Sequence, residues 1–226
     1  MVLPFDASVA QLSAYDFMKE VLRNRLNVKK LVIGYDNRFG HNRTETFEDY
    51  VRYGHELGIE VIHHTAFELH GVNISSSVIR GFLQEGEVEM ATLCLGYPYT
   101  LIGKVVHGFA QGRLMGFPTA NMDVAESGQL IPATGVYAVN VKLKNQLHLL
   151  HGMMNIGCRP TFNGTALSLE VNIFNFRGNL YGDLIEVSFI RHIRKERKFN
   201  SAAELAEQLQ QDRTMIEEQF NKDRDL

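Results

Sequence analysis

Four glycines, Gly103, Gly108, Gly112 and Gly116, lead into the run Phe117-Pro118-Thr119-Ala120-Asn121. Glycine accepts backbone dihedrals and close ligand approach that a side chain forbids. Glycine-rich loops can therefore turn backbone N–H groups onto phosphate oxygens. Pro118 fixes its own φ and biases Phe117 towards an extended conformation. Alternate residues of an extended chain share a face, so Thr119 and Asn121 point the same way. A hydroxyl and an amide oxygen side by side suit a hard cation such as Mg²⁺. A plainer reading also fits, a bent strand with turn glycines.

Three further stretches carry polar groups at suggestive spacings. In Ile74-Ser75-Ser76-Ser77-Val78-Ile79-Arg80, serines precede a helix whose N-terminus favours anions, and Arg80 lies one turn in. An ordinary serine cap with a solvated arginine explains the same residues. Ser168 to Ile173 alternates, with Leu169, Val171 and Ile173 on one face and Glu170 on the other. On pattern alone Glu170 is a solvated carboxylate. Arg191 to Phe199 is basic with one aromatic, which reads either as a solvated strand end or as an aromatic packing surface edged by arginines.

The elements that must position these groups fall into two textures. Ser8 to about Asn24 is expected as a helix opened by a capping box, and Val28 to Tyr35 as a buried strand. A second helix follows over Thr44 to Leu57, stopped by Gly58, then a strand over Ile59 to His63. That rhythm predicts a parallel α/β sheet, with ligands beyond the carboxyl ends of its strands, where Gly34 to Gly40 falls. After Leu95 the texture changes. Segments 101–106, 135–143, 147–156, 168–176 and 184–193 are strand-like, predicting an antiparallel barrel. Ser201 opens a last helix whose stripe Leu205, Leu209, Ile216 and Phe220 reads as packing. The expected division is therefore 1–95, α/β, and 96–226, barrel with a C-terminal helix.

Composition narrows the function classes. A net charge of −3 over 226 residues argues against a general nucleic-acid binder. No apolar run approaches the ~20 residues of a membrane span, and no charged-then-apolar signal opens the chain. The two cysteines, Cys94 and Cys158, suit a reducing cytoplasm better than a disulfide framework. No Walker A sequence occurs, which disfavours an ordinary P-loop enzyme.

The pattern G-x-V-x-x-G-x-x-x-G-x-x-x-G-F-P-T-A-N over 103–121 resembles the ATP-binding element of riboflavin kinases, in the version of the bacterial bifunctional enzymes that also adenylate FMN. The resemblance implies that ATP meets Gly103, Gly108, Gly112, Arg113, Gly116, Thr119 and Asn121, with Mg²⁺ at Thr119 and Asn121. Glu170-Val171-Asn172-Ile173-Phe174 resembles the strand carrying that family's catalytic glutamate, which makes Glu170 the general base for the riboflavin 5′-hydroxyl. Asn155 to Phe162 resembles the family's N-I-G-x-R-P-T-F loop near the active site. Arg194 to Phe199 resembles its flavin-side R-x-E-x-x-F segment, implying that Arg194, Arg197 and Phe199 bind the flavin. Greek-key connections in the barrel are a further implication. The expected substrates are riboflavin and ATP and the product FMN; a non-catalytic flavin- or nucleotide-binding module is the alternative.

The first part resembles a nucleotidyltransferase-like, Rossmann-related domain in two elements. Residues 74–80 match I-S-S-[ST]-x-I-R, through Ser75, Ser76, Ser77 and Arg80. Gly34, Asp36, Arg38 and Gly40 resemble G-x-D-F-x-F-G, with Asn37 where the family commonly has phenylalanine and Ser77 where threonine is usual. The superfamily's H-x-G-H signature is not in the sequence, and His63-His64 cannot replace it, because strand neighbours face opposite ways. The expectation is an FMN adenylyltransferase domain incomplete at its N-terminus, and a chain that forms FMN without FAD.

Overall fold

The computed structural model describes residues 3–34, 37–65, 68–69, 71–108, 112, 116–144, 146, 148–161 and 164–222. Backbone contacts divide the chain into two units, Met1–Ile74 and Ser75–Leu226.

The first unit is α/β. Strands β1 (Lys30–Gly34) and β2 (Glu60–His64) pair in parallel, Leu31 opposite Val61 and Ile33 opposite His63. Helix α3 (Phe47–Leu57) crosses between them, as parallel neighbours require. Thr46 and Asp49 form its capping box and Gly58, at φ 68°, ends it in the left-handed region that glycine tolerates. Ala14, Met18, Ile33, Tyr50, Leu57 and Ile59 make the core. A short antiparallel pair, β3 (Glu68–Leu69) and β4 (Val72–Asn73), follows.

The opening helix differs from expectation. It is divided into α1 (Ala7–Ala10) and α2 (Ala14–Asp16), the latter continuing as a wider π-helical segment over Phe17–Arg25. The cap is Asp6 and not Ser8: Asp6 Oδ1 accepts the Val9 N–H at 3.0 Å and the Ser8 hydroxyl at 2.6 Å. The Leu12 carbonyl is then taken by the His41 N–H at 2.9 Å, and Ser13 starts a new turn by accepting the Asp16 N–H at 3.1 Å. Local polar groups here compete successfully with helix continuation.

The second unit holds α4 (Ser76–Glu85), α5 (Val88–Leu95), a closed barrel and the terminal helix α6 (Ala202–Lys222). The barrel strands are β5 (Thr100–Val106), β6 (Ala120–Asp123), β7 (Gly135–Leu143), β8 (Leu150–Thr161), β9 (Gly164–Ile173) and β10 (Leu184–Arg194). Around the barrel they run β10, β5, β6, β9, β8, β7, each antiparallel to its neighbours. Strands β7, β8 and β9 are consecutive neighbours and β10 returns beside β7, which is a Greek key. The expected strand 147–156 runs on through 157–161, which the resemblance set in a loop, to form one arm of the β8–β9 hairpin, paired as far as Thr161 opposite Gly164. The packing division falls before α4 and not at the change of texture after Leu95. Leu83, Val88 and Ala91 of these two helices belong to the barrel's own core cluster.

Strand alternation gives the barrel two working faces. Val105, Met122, Tyr137, Met154, Leu169, Val171 and Phe189 fill the core. Ala138, Met153 and Phe174 form a separate cluster with Ile216 and Phe220 of α6, so the terminal helix covers part of the outer face. Buried Tyr137 donates its hydroxyl to the Ala133 carbonyl at 2.6 Å. Burial, helped by the charge of Glu89, pushes its phenol up to about 12. The folded state thus favours the neutral phenol, a contribution fully present below the unfolded value near pH 10 and lost as pH rises through the folded one. Thermal melts of the chain should lose stability between about pH 10 and about pH 12. Tyr137→Phe should flatten that slope; an unchanged slope in the variant would assign it to other groups.

Candidate active site

The strand register gathers residues far apart in sequence into one row. Arg194 pairs with Val136, Val136 with Asn155, Asn155 with Glu170, and Glu170 with Asn121. Directly paired residues project to the same side of a sheet. Glu170 therefore stands on the outer face between Asn121 and Asn155, while Leu169 and Val171 beside it are buried in the core. Thr119, immediately before β6, donates its hydroxyl to Glu170 Oε2 at 3.1 Å. Asn172, two residues after Glu170, donates Nδ2 to the Pro118 carbonyl at 2.7 Å and holds the Pro-Thr-Ala-Asn segment against β9.

Two cavities adjoin Thr119, and the first of them is lined by four residues of the row. One, of about 260 Å³, is lined by Thr119, Asn155, Glu170, Asn172, Arg194, Arg197 and Phe199, with Val136, Met153, Leu205 and Leu209 as its apolar wall. The other, of about 440 Å³, is lined by Val105, Pro118, Thr119, Val171 and the turn from Phe176 to Tyr181. In its turn Tyr181 stacks on the His107 ring at 4.0 Å. Backbone bonds from Val105 N to Asp183 O and from Gly182 N to Val105 O, both 2.9 Å, tie that turn to β5. Thr119 belongs to the walls of both cavities.

The glycines divide by role. A side chain on Gly108 would run into the amide of Asn121, and one on Gly112 into the Phe117 carbonyl. At these two positions the backbone lies close against the Phe117–Asn121 segment, and the Phe117 N–H closes onto the Gly112 carbonyl at 2.8 Å. Gly116, at φ 81°, occupies the left-handed region. Gly103 is different: it lies within β5 against Met122, Asp123 and Val124 and is in the wall of neither cavity. Arg113 lies outside the described residues, as does Phe162.

On the other side of the first cavity, Arg194 and Arg197 lie 5.7 Å and 4.6 Å from the Phe199 ring centroid. Arg194 is committed to the protein: its Nε and Nη2 bond the carboxylate of Asp212 at 2.8–3.1 Å. Asp212, only 1% exposed, also accepts Gln208 Nε2 at 2.7 Å. Arg194 thus fastens β10 to α6, a role that the sequence reading, which set it against a ligand, did not include.

The riboflavin kinase family profile matches residues 95–220, and the FAD synthetase profile matches residues 1–78. The bifunctional riboflavin kinase/FMN adenylyltransferase of Haemophilus influenzae is 39% identical over 221 residues, covering 98% of this chain and 71% of its own. The protein of the same name from Escherichia coli K12 is 38% identical over 216 residues, covering 96% of this chain and 68% of its own. The chain belongs to the riboflavin kinase family. A crystal structure from Streptococcus pneumoniae, described as a macrolide-efflux protein, shares its fold at a TM-score of 0.83 and 35% identity, covering 95% of this chain and 68% of that one. Among the described residues of this riboflavin kinase family member, no helix is long and apolar enough to cross a membrane.

The adenylyltransferase-like residues fall in both units. Gly34 ends β1 and Arg38 is exposed in the following loop; Asp36 lies outside the described residues. Gly40 packs on the Ala14 backbone, with no room for a side chain. Ser75 caps α4, its hydroxyl accepting the Val78 N–H at 3.3 Å. Ser76 and Ser77 begin the helix, and Arg80 Nη2 bonds the Ser77 hydroxyl at 3.4 Å.

Sequence reasoning passed over Asn172, Asp212 and the whole Phe176–Tyr181 wall. The stripe residues Leu205 and Leu209, read as packing alone, also line the first cavity. A signal for the missed wall was available in Phe176-Arg177-Gly178-Asn179, an aromatic beside turn residues, but its partner β5 is remote in sequence.

Proposed function

We propose that this chain transfers the γ-phosphoryl group of ATP to the 5′-hydroxyl of riboflavin, giving FMN and ADP. The observation that carries the reading is Thr119, a hydroxyl in the walls of two cavities and hydrogen-bonded to Glu170, the carboxylate of the row. The first cavity, with an apolar wall, an aromatic and two arginines, suits a flavin. The second, with Tyr181 of its wall stacked on His107 and Arg177 in the same turn, suits an adenine nucleotide.

Glu170 accepts the proton of the 5′-hydroxyl as its oxygen bonds to the γ-phosphorus and the bond from phosphorus to the β-phosphate bridging oxygen breaks. ADP leaves with that electron pair. Positioning and charge neutralisation dominate such transfers. The donor set fits Mg²⁺. The Thr119 proton is directed to Glu170, so the lone pairs of its oxygen face outward, and the Asn121 amide stands in the same row. Bound there, Mg²⁺ would supply positive charge to the phosphate oxygens, completing its shell with substrate oxygens and water. Thr119→Ala and Asn121→Ala should each raise the Mg²⁺ concentration needed for half-maximal rate more than they raise KM for riboflavin. Unchanged Mg²⁺ titrations in both variants would leave these residues structural. The paired reading of the two cysteines as free thiols, Cys94 and Cys158, supports a cytoplasmic location.

The deciding assay incubates the purified chain with riboflavin and MgATP and separates flavins by chromatography. FMN is the expected product, and FAD is not. Adenylyl transfer needs charge stabilisation of a second triphosphate beside an anionic FMN, and in the resembled superfamily H-x-G-H shares that work with the Ile74–Arg80 element. Only the latter is in these residues. Riboflavin recovered unchanged overturns the kinase reading, and FAD accumulating in proportion to the protein overturns the second expectation.

A further inference from the structure

Asn172 is the one residue of the first cavity whose polar side chain is both deeply buried and half unused. It is 4% exposed, on β9, on the same face as Glu170. Its Nδ2 donates to the Pro118 carbonyl at 2.7 Å. A carbonyl only accepts, so this bond fixes which end of the amide is nitrogen. Oδ1 is therefore turned the other way, and it is buried with no hydrogen-bond partner among the described residues. Buried acceptors are paired in the large majority of native proteins. Asn172 belongs to the wall of the first cavity, so its unpaired oxygen is next to where a ligand donor would come.

The position selects the donor. Residues i and i+2 of a strand are separated by about 7 Å, so Oδ1 stands roughly that far along the wall from the carboxylate that takes the 5′ proton. In riboflavin the groups at that reach are the secondary hydroxyls of the ribityl chain. The ring N3–H is at the far edge of the isoalloxazine. Met153 faces Asn172 across the β8–β9 ladder and offers no competing hydrogen bond.

We propose that Asn172 is a specificity-determining residue: its Oδ1 accepts a hydrogen bond from a secondary ribityl hydroxyl, so the site reads the polyol chain as well as the ring. This rests on the riboflavin kinase reading above.

The test compares kcat/KM for riboflavin with that for its 2′-, 3′- and 4′-deoxy analogues, all of which keep the 5′-hydroxyl, in the unmodified chain and in Asn172→Ala. General damage from the substitution, including loss of the Pro118 bond, affects all four substrates alike and cancels in the ratios. The unmodified chain should use one deoxy analogue about 5- to 100-fold less well than riboflavin, and in Asn172→Ala that ratio should collapse towards one. Asn172→Asp, which keeps an acceptor oxygen, should retain discrimination. Equal ratios in the unmodified chain and Asn172→Ala for every analogue overturn the inference. So does discrimination seen only against 3-N-methylriboflavin, and should Asn172→Ala fail to fold, equal use of all three deoxy analogues by the unmodified chain does the same. Failure to phosphorylate riboflavin itself is a separate result, which removes the kinase reading first.

Discussion

Glu170→Gln should lower kcat by about 10²–10⁴ while leaving the affinities for riboflavin and ATP within a few-fold. The substituted amide keeps an oxygen to accept the Thr119 hydroxyl, so the 3.1 Å bond that orients the Pro-Thr-Ala-Asn segment has a replacement. What the amide cannot do is accept the proton of the attacking hydroxyl. Size and position are nearly conserved, and the residue's neighbours Asn121 and Asn155 stay in register across the sheet. The loss therefore belongs to the transition state, equivalent to roughly 3–5 kcal/mol of barrier, and should reduce kcat and kcat/KM together. Steady-state kinetics combined with direct titration of each ligand separate these quantities. A variant turning over within a few-fold of the unmodified chain would show that Glu170 only orients Thr119.

Asp212→Ala should be the most damaging single substitution to the barrel unit's stability. Asp212 is 1% exposed and receives Arg194 through two nitrogens and Gln208 through a third. The Arg194 side chain is itself only 18% exposed, so it keeps its charge away from water when the carboxylate is removed. Breaking a buried pair by removing one partner typically costs about 3–5 kcal/mol. For a unit of this size that corresponds to a melting point lower by on the order of 10 °C. A functional consequence should accompany it. Arg194, Leu205 and Leu209 line the first cavity, so loosening β10 from α6 should raise KM for riboflavin more than KM for ATP. Asp212→Asn, which retains the shape and part of the hydrogen bonding, should fall between. Melting within a degree or two of the unmodified chain, with unchanged KM for riboflavin, would mean that the pair is dispensable.

Much of this protein is local and therefore legible in one dimension. The sharp stop of α3 at Gly58 follows from a glycine placed after the last apolar position of a helix. The inward set Leu169, Val171 and Ile173 against the outward Glu170 follows from the two-residue period of a strand. The Pro-Thr-Ala-Asn segment is extended because Pro118 constrains both itself and its neighbour, and β6 begins at Ala120 as that constraint requires. The spaced glycines were visible as a motif, and the structure separates them: Gly108 and Gly112 serve close approach to the Phe117–Asn121 segment, while Gly103 is held within a strand.

The site itself was decided only in three dimensions. Alternation says that Glu170 faces away from its apolar neighbours, and with that alone it reads as solvated. Whether an outward residue meets water depends on what else covers that face, and here α6, which begins at Ala202, lies over part of it. The row Asn121, Glu170, Asn155, Val136 and Arg194 exists because register aligns two hairpin pairs with the non-consecutive pairs β6–β9 and β7–β10, and register is set by turns and core packing distributed over the whole barrel. The same reason hid Asp212. A polar residue amid a helix looks solvated until the buried arginine that pairs with it is brought to it from another element. Periodicity determines which way each side chain points along its own strand or helix; only closure of the barrel and docking of α6 determine what it points at.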